Sequence, residues 1–190
     1  DTRTLDLSNL RTQIKKRREE ATYLSNLLGE YIRNFESRLH IAEIDKYSEP
    51  LEEAKLASEN SNLSEQEVYK TQAKMLKVSL DRLHDIAGGI SFEGSAVNPG
   101  GLVKNGTFVM VGPVALFESE DKEDIGTIEQ QLGSLKPAII PFGNPADANA
   151  AAKIIAAKEG EMPLDPSLGN AHKIEETKET FVSHIKKGGV

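Results

Sequence analysis

The most constraining feature of this chain is a run of apolar side chains from Leu7 to Ala42 that recur at alternating steps of three and four. Its members are Leu7, Leu10, Ile14, Ala21, Leu24, Leu28, Tyr31, Phe35 and Ala42. Arg17 and Arg38 are the interruptions. A stripe of two residues in seven is too narrow for burial in a globular core. It therefore predicts a long helix that packs along a partner helix.

The sequence also predicts a partner for this helix within the same chain. Pro50 is expected to end the first helix at about Tyr47 and to stand in the first turn of a second. Ser64 and Glu67 have the spacing of a capping box, which starts a new helical segment. Whether a break separates the two segments near residues 58–63 is left open by the sequence. Apolar residues then repeat as Tyr69, Ala73, Leu76, Leu80, Leu83 and Ala87. Residues 1–87 are therefore predicted to form an antiparallel helical hairpin, that is, a coiled coil.

After Gly89 the apolar period changes to two, which indicates β-strands separated by turns. Ile90–Val97 reads as the first strand, and Asn98–Gly101 as a type II turn. Asn105-Gly106 predicts a two-residue hairpin, and Gly112-Pro113 a bulge or a bend within a strand. The expected core is Phe92, Val97, Phe108, Met110, Leu116, Phe117, Ile128 and Ile140. About six short strands favour a small antiparallel sandwich or barrel.

Two further helices are predicted downstream of the strands. The first, Ala148–Lys158, can be capped by Asn144 and Asp147 and is expected to dock Ile154 and Ile155 on the sheet. An extended connector, Glu161–Gly169, precedes an amphipathic helix over residues 171–187. The ending Lys186–Val190 is interpreted as the water-side flank of a hydrophobic segment. The predicted class is α+β, with a hairpin at 1–87, a β domain at 88–160, and a linker with a helix at 161–190.

Composition excludes several classes of function. The formal net charge of −7 argues against nucleic acid as a partner, because phosphate binding needs clustered cations. The absence of Cys excludes disulfides, zinc thiolate sites and Cys nucleophiles. The apolar run near residues 109–117 is far shorter than the roughly 18 residues of a membrane-spanning helix.

No residue is assigned a catalytic, cofactor-binding or metal-binding role from the sequence. The four histidines, His40, His84, His172 and His184, are scattered. His40 and Glu43 have the spacing for two ligands on one helix, but a metal site needs at least three convergent ligands. The interpretation favoured for this pair is a surface pair on the helix. The glycine pairs fit neither a dinucleotide-binding nor a phosphate-binding loop.

The order of these parts, and two stretches of sequence, resemble the long periplasmic N-terminal extension of large MotA/TolQ/ExbB proton channel family proteins. The stretches are residues 101–117, which include Asn105–Phe117, and residues 165–189, which end in Lys186-Lys187-Gly188-Gly189. The resemblance implies membrane helices beyond Val190 that assemble as an oligomeric proton channel. It also implies TonB-like and ExbD-like partners in energised outer-membrane transport. The pore residues of the family match nothing in this sequence, so no proton-conducting residue is assigned.

The function expected from this resemblance is a non-enzymatic interaction module on the periplasmic side of the bacterial inner membrane. Its parent protein would form a homo-oligomer through membrane helices that are not in this sequence. An alternative is a coiled-coil periplasmic adaptor subunit of an efflux or secretion assembly. An enzyme or a sugar-binding β domain is disfavoured, because no carboxylate pair or aromatic platform is apparent. The sequence beyond Val190 distinguishes the first two readings.

Overall fold

A computed structural model describes residues 2–131, 133–163 and 174. The protein is α+β, with a long N-terminal helix, a closed five-stranded barrel and a C-terminal helix. The chain divides into two compact units, Asp1–His84 and Asp85–Val190. Apart from Ile174, the predicted helix over 171–187 lies outside the described residues, as does most of the predicted connector.

The helical unit contains α1 (Thr2–Phe35), α2 (Ile44–Glu59) and the greater part of α3 (Glu65–Gly88). Its core is one cluster of buried side chains from the three helices, namely Ile32, Phe35, Tyr47, Leu51, Ala54 and Met75. Phe35 and Tyr47 meet edge to face, with ring centroids 6.2 Å apart. Burial of this apolar surface is the main favourable term that holds the three helices together.

The sequence predicts one long helix and an antiparallel partner, and it leaves open a break in that partner near residues 58–63. The break is present, so three helices occupy residues 2–88. The Ser25 hydroxyl of α1 donates to Oε1 of Gln72 on α3 over 2.8 Å. The Tyr31 hydroxyl donates to Oγ of Ser79, also over 2.8 Å. The earlier residue of α1 bonds the earlier residue of α3, and the later bonds the later, so α1 and α3 run parallel. Within this unit, the coiled-coil pairing predicted for α1 is not confirmed.

The predicted end of the first helix at Tyr47 is wrong, because α1 ends at Phe35. The next segment contains two short 3-10 turns, and His40 and Glu43 form a reciprocal capping box on the second of them. The prediction that Pro50 starts a helix is also wrong, since Pro50 lies inside α2. An interior proline costs about 3 kcal/mol. Burial of Tyr47, Leu51, Ala54 and Ala57 along α2 offsets that cost.

The face of α3 that packs inward also differs from the prediction. Tyr69, Leu80 and Leu83 are exposed. The buried residues of α3 are instead Gln72, Met75, Ser79 and Arg82. Three of these four side chains are polar, and each finds a hydrogen-bond partner on another part of the helical unit. Specific polar contacts, rather than the leucine-rich stripe, therefore fix the rotation of α3.

The capping box predicted at the start of α3 is confirmed. The Glu67 backbone N–H donates to Ser64 Oγ at 3.3 Å, and the Ser64 N–H donates to Glu67 Oε2 at 2.8 Å. The Ser64 hydroxyl also donates to Glu67 Oε2 at 2.6 Å, and this bond, followed by the one from the Ser64 N–H, lowers the pKa of the Glu67 carboxyl. Two backbone donors that would otherwise lack a partner are thus satisfied at the helix start.

The second unit is built on a closed barrel of β1 (Ile90–Val97), β2 (Val103–Val111), β3 (Val114–Ser119), β4 (Ile125–Gln130) and β5 (Pro137–Pro141). Consecutive strands pair antiparallel. With four reversals of direction, the first and fifth strands must point the same way. The barrel therefore closes through a parallel contact in which Val97 pairs with Ala138.

The glycines of the barrel have different roles from those predicted. Asn105-Gly106 is not a hairpin turn, because it lies inside β2, where Gly106 pairs with Gly94 and Ser119. Gly112-Pro113, predicted as a bulge or bend, is instead the two-residue turn that joins β2 to β3. Gly112 has a φ of 56°, which is the requirement for the first central residue of such a turn.

The turn between β1 and β2 lies where the sequence predicts it, but its type differs. The backbone N–H of Gly101 donates to the Asn98 carbonyl at 2.9 Å. A type II turn needs positive φ at Gly100, whereas the residue with positive φ is Gly101, at 80°. The left-handed glycine thus follows the turn and leads into β2, as in hairpin loops that end in a glycine bulge.

The barrel interior holds a row of three phenylalanine rings. The Phe92 and Phe108 centroids are 5.3 Å apart, and those of Phe108 and Phe117 are 4.7 Å apart. Of the core residues predicted from the sequence, Phe108, Met110, Leu116, Phe117 and Ile128 are buried. Phe92, Val97 and Ile140 are half-buried.

The C-terminal helix, α4 (Pro145–Ala157), packs on the outer face of the barrel. Asn144 caps it as predicted, with its side-chain Oδ1 accepting from the Ala146 N–H at 2.9 Å. The prediction that Ile154 and Ile155 dock on the sheet is confirmed, because both pack in one cluster with Val109 and Leu116. The helix starts at Pro145 rather than at Ala148.

Candidate interaction surface

The N-terminal part of α1 carries an apolar stripe that the rest of the helical unit does not cover. Every residue from 2 to 24 is exposed. The stripe residues Leu7 and Ile14 keep 56% and 54% of their surface accessible. Leu10 and Leu24 are also exposed. We call residues 2–24 the free segment of α1.

The other end of α1 is fixed firmly to the helical unit. Ile32 and Phe35 are each 2% exposed in the hydrophobic cluster. The hydrogen bonds of Ser25 and Tyr31 to α3 also fix the orientation of α1 relative to α3. The same apolar stripe is therefore buried in its own unit from about Leu28 onward and open to solvent before that point.

The basic block Lys15–Arg18 and the acids that follow it form ion pairs along the helix. Lys15 Nζ lies 3.8 Å from Glu19 Oε1, and Arg17 Nη1 lies 3.5 Å from Glu20 Oε2. All four side chains are exposed, so each pair contributes a few tenths of a kcal/mol at most. The concave region lined by Arg11, Ile14 and their neighbours is formed by α1 alone, so it is a groove on one helix.

A buried ion pair ties the end of α3 to the segment between α1 and α2. Arg82 Nε donates to Glu43 Oε1 at 2.7 Å, and its Nη2 donates to Glu43 Oε2 at 2.6 Å. Glu43 is 1% exposed and Arg82 is 8% exposed. The same Nη2 also donates to the Arg38 carbonyl at 3.2 Å. The hydrogen bond to Glu43 raises the pKa of the Arg82 guanidinium, so the charge persists.

The prediction that His40 and Glu43 form a surface pair is wrong. Glu43 is buried, and its Oε2 accepts from the His40 backbone N–H at 3.0 Å. His40 Nδ1 accepts from the Ala42 N–H at 3.2 Å. The carboxylate is thus held by a guanidinium and a backbone donor, which is a structural role. The sequence signal was the spacing of His40 and Glu43, but nothing local pointed to Arg82.

Metal-binding chemistry receives no support from the part of the chain that is described. Among residues 2–131, 133–163 and 174, no three His, Cys, Asp or Glu side chains cluster as ligands. His84 is exposed on α3. His172 and His184 lie outside the described residues.

Lys104 on β2 forms ion pairs with the acidic loop that follows β3. Its Nζ lies 3.2 Å from Glu123 Oε2 and 3.8 Å from Asp124 Oδ2, and it also bonds Asp121. Asp121 accepts further bonds from the Ser119 hydroxyl at 2.6 Å and the Glu123 N–H at 3.1 Å. This loop reads as a locked structural turn rather than an open cation site, because a lysine already occupies its centre.

We expect this cluster to make the barrel sensitive to acid. The hydrogen bond from Lys104, followed by that from Ser119, lowers the pKa of Asp121 to about 2 from its ordinary value of 3.8. A carboxyl whose pKa is lowered by folding stabilises the protein at pH values above its ordinary pKa. This stabilisation is lost as the pH falls through the lowered pKa of the folded state. The stabilisation should therefore disappear between about pH 4 and about pH 2.

Thermal melting of Asp121→Asn and of the parent at steps from pH 5 to pH 2 tests this expectation. The variant should melt lower at pH 5, and the difference should shrink toward pH 2. Glu120→Gln, a change at an exposed neighbour, serves as the matched control. A constant difference between Asp121→Asn and the parent over the whole range would contradict the expectation.

None of the helices within residues 2–131 and 133–163 combines the length and the apolar character that a membrane crossing requires. Compared with known proteins, the chain matches no protein-family model, no curated protein and no solved structure.

Proposed function

We propose that this chain is a non-enzymatic periplasmic interaction module of an inner-membrane proton-channel protein of the MotA/TolQ/ExbB type. The parent protein energises outer-membrane transport together with TonB-like and ExbD-like partners. In this role the helical unit presents α1 as one strand of a coiled coil, and the barrel is a second folded contact domain. Nucleic acid is not among the partners, given the net charge of −7.

The observation that carries this proposal is the exposed apolar stripe of the free segment. Contiguous apolar surface rimmed by charges marks an interaction site in a folded protein. Leu7, Leu10, Ile14 and Leu24 supply such a stripe along several turns of one helix. A helix with this pattern reaches full burial when another helix lies along it.

The sequence resemblance supports the choice of family. The first of its two stretches includes Asn105–Phe117, which builds most of β2 and most of β3 and supplies Phe108, Met110 and Phe117 to the barrel interior. The resemblance therefore falls on residues that determine a fold. In the proposed parent protein, membrane helices follow Val190, and homo-oligomerisation occurs through them.

The proposal is tested in the native bacterium with the full-length gene product. Protease added to spheroplasts should cleave this module, because it lies on the periplasmic side. Without protease, the module should fractionate with the inner membrane. Deleting residues 1–163 from the full-length protein should abolish transport that depends on the proton gradient, with the amount of membrane-inserted protein unchanged.

Two outcomes would overturn this proposal. Unchanged transport after the deletion would remove the role in energised uptake. Recovery of the native protein in the soluble periplasmic fraction, together with a stop codon after Val190, would favour the coiled-coil adaptor of an efflux or secretion assembly instead.

A further inference from the structure

We propose that the free segment of α1 binds the free segment of a second copy of this chain, with the two helices parallel. This self-association goes beyond the proposed function and does not rest on it. Its basis is the position of charged residues beside the exposed stripe, which selects both the partner and the orientation.

The stripe occupies the two seam positions of each heptad, and the residues beside them form two flanks. One flank follows the second seam position and contains Arg11 and Arg18. The other flank precedes the first seam position and contains Asp6, Gln13 and Glu20. The basic and acidic side chains are therefore segregated to opposite sides of the stripe.

A parallel pair of these helices places opposite flanks against each other. Asp6 of one copy then faces Arg11 of the other, and Gln13 faces Arg18, which gives attraction or a neutral hydrogen bond at each contact. The symmetry of the pair repeats both contacts. The charges of the two flanks thus favour parallel self-association.

An antiparallel pair brings like flanks together. Arg11 then faces Arg18 of the other copy, and Asp6 faces Glu20. Each of these contacts repels, and shifting the register does not change the sign. The charge pattern of the chain therefore disfavours the antiparallel arrangement and supports the parallel one.

Arg17 stands at a seam position between Ile14 and Ala21, where a parallel pair brings it against Arg17 of the second copy. This like-charge contact opposes association, and it makes Arg17 a marker of the register. A single polar residue in a coiled-coil seam fixes the alignment of the helices at some cost in stability. Glu20, whose carboxylate lies 3.5 Å from the Arg17 guanidinium, moderates the charge. The stripe is open from Leu7 to Leu24, so several turns on either side of Arg17 are available for contact.

Cysteine cross-linking tests the orientation directly, because the chain contains no Cys of its own. Oxidation of the whole chain with Leu10→Cys should give a disulfide-linked dimer, since identical seam positions meet in a parallel pair. Thr12→Cys, on the opposite face of the same helix, is the matched control and should stay monomeric. A mixture of Leu7→Cys and Leu24→Cys chains should not form the heterodimer expected of an antiparallel pair.

Charge reversal gives a second, independent readout by sedimentation equilibrium at low salt. Arg11→Glu should weaken self-association by about tenfold, because it turns two attractions into repulsions. Adding Asp6→Arg to the same chain should restore most of the affinity. Circular dichroism of each variant checks that α1 remains helical.

Three results would overturn the inference. The first is a monomer at every concentration of the parent chain. The second is stronger association of Arg11→Glu, which the antiparallel arrangement requires, because the change relieves repulsion from Arg18. The third is cross-linking of Leu7→Cys with Leu24→Cys in preference to Leu10→Cys with itself.

Discussion

Replacing Gly126 with alanine is expected to unfold the barrel. A Cβ at this position would lie 2.1 Å from the Ile140 carbonyl oxygen and 2.7 Å from its carbon. Both atoms belong to the backbone of β5, which pairs with β4 through this region. No rotation of a side chain relieves such a contact, so the strands must separate. Overpacking costs about 1 to 3 kcal/mol even where side chains yield, and we expect a larger loss here.

Gly106→Ala should have a similar effect on the neighbouring strand pair. Its Cβ would lie 2.1 Å from the Glu118 carbonyl oxygen and 2.6 Å from the Phe117 ring. Gly143→Ala is the matched control, because Gly143 has no atom within 4 Å of an added Cβ. Amide NMR spectra should lose the dispersed β2 and β3 signals in Gly106→Ala and Gly126→Ala. Retention of those signals with an unchanged melting temperature would contradict the packing described for the barrel.

Arg82→Met is expected to destabilise the helical unit by about 3 to 5 kcal/mol. The change leaves the Glu43 carboxylate buried without the guanidinium that neutralises it, and an unpaired buried charge carries a penalty of this size. Glu43→Gln should be destabilising for the reciprocal reason. The exposed pair of Lys74 and Glu53 provides a control, since Lys74→Met should cost no more than about 1 kcal/mol.

Tyrosine fluorescence during urea unfolding measures the helical unit separately from the barrel. All four tyrosines of the chain lie at positions 23, 31, 47 and 69, and the chain has no Trp. The double variant Glu43→Leu with Arg82→Met should recover part of the loss, because an apolar pair removes the uncompensated charge. If the single and double variants are equally unstable, the loss comes from packing rather than from the buried charge.

Elements whose signals are local could be predicted from the sequence. β1, the turn at Asn98–Gly101 and the capping box of Ser64 and Glu67 depend on residues a few positions apart. The docking of α4 follows from its caps and from Ile154 and Ile155. Each of these features is favoured by its own residues, so tertiary contacts had only to agree with them.

The errors arose where one residue type serves two purposes. Glycine permits positive φ, and it also permits close approach of another backbone. Gly106 was predicted to supply the positive φ of a turn, but it lies where the backbones of β2 and β3 approach closely, and Gly112 supplies a positive φ in the turn between them. Pro50 shows a similar limit, because burial of Tyr47 and Leu51 outweighs a helix penalty that is visible in the sequence.

The candidate surface was predictable only in part. The apolar stripe of α1 is evident from its spacing, but its exposure from Leu7 to Leu24 depends on where α2 ends and α3 begins. The face of α3 was missed because Leu80 and Leu83 outscore Ser79 and Arg82 on any apolar pattern. The contact of Arg82 with Glu43 spans 39 positions and has no local signature.

The way the barrel closes has a consequence for how it folds. Each antiparallel pair joins strands that are neighbours in the chain, so these contacts have short loops and can form early. The closing contact of Val97 with Ala138 joins distant positions, and it is the register pair that links β1 to β5. The entropic cost of closing this long loop is compensated only after the other strands are in place. The antiparallel strand pairs should therefore form first and the contact between β1 and β5 last. The same contact should also be the first to open in the native state.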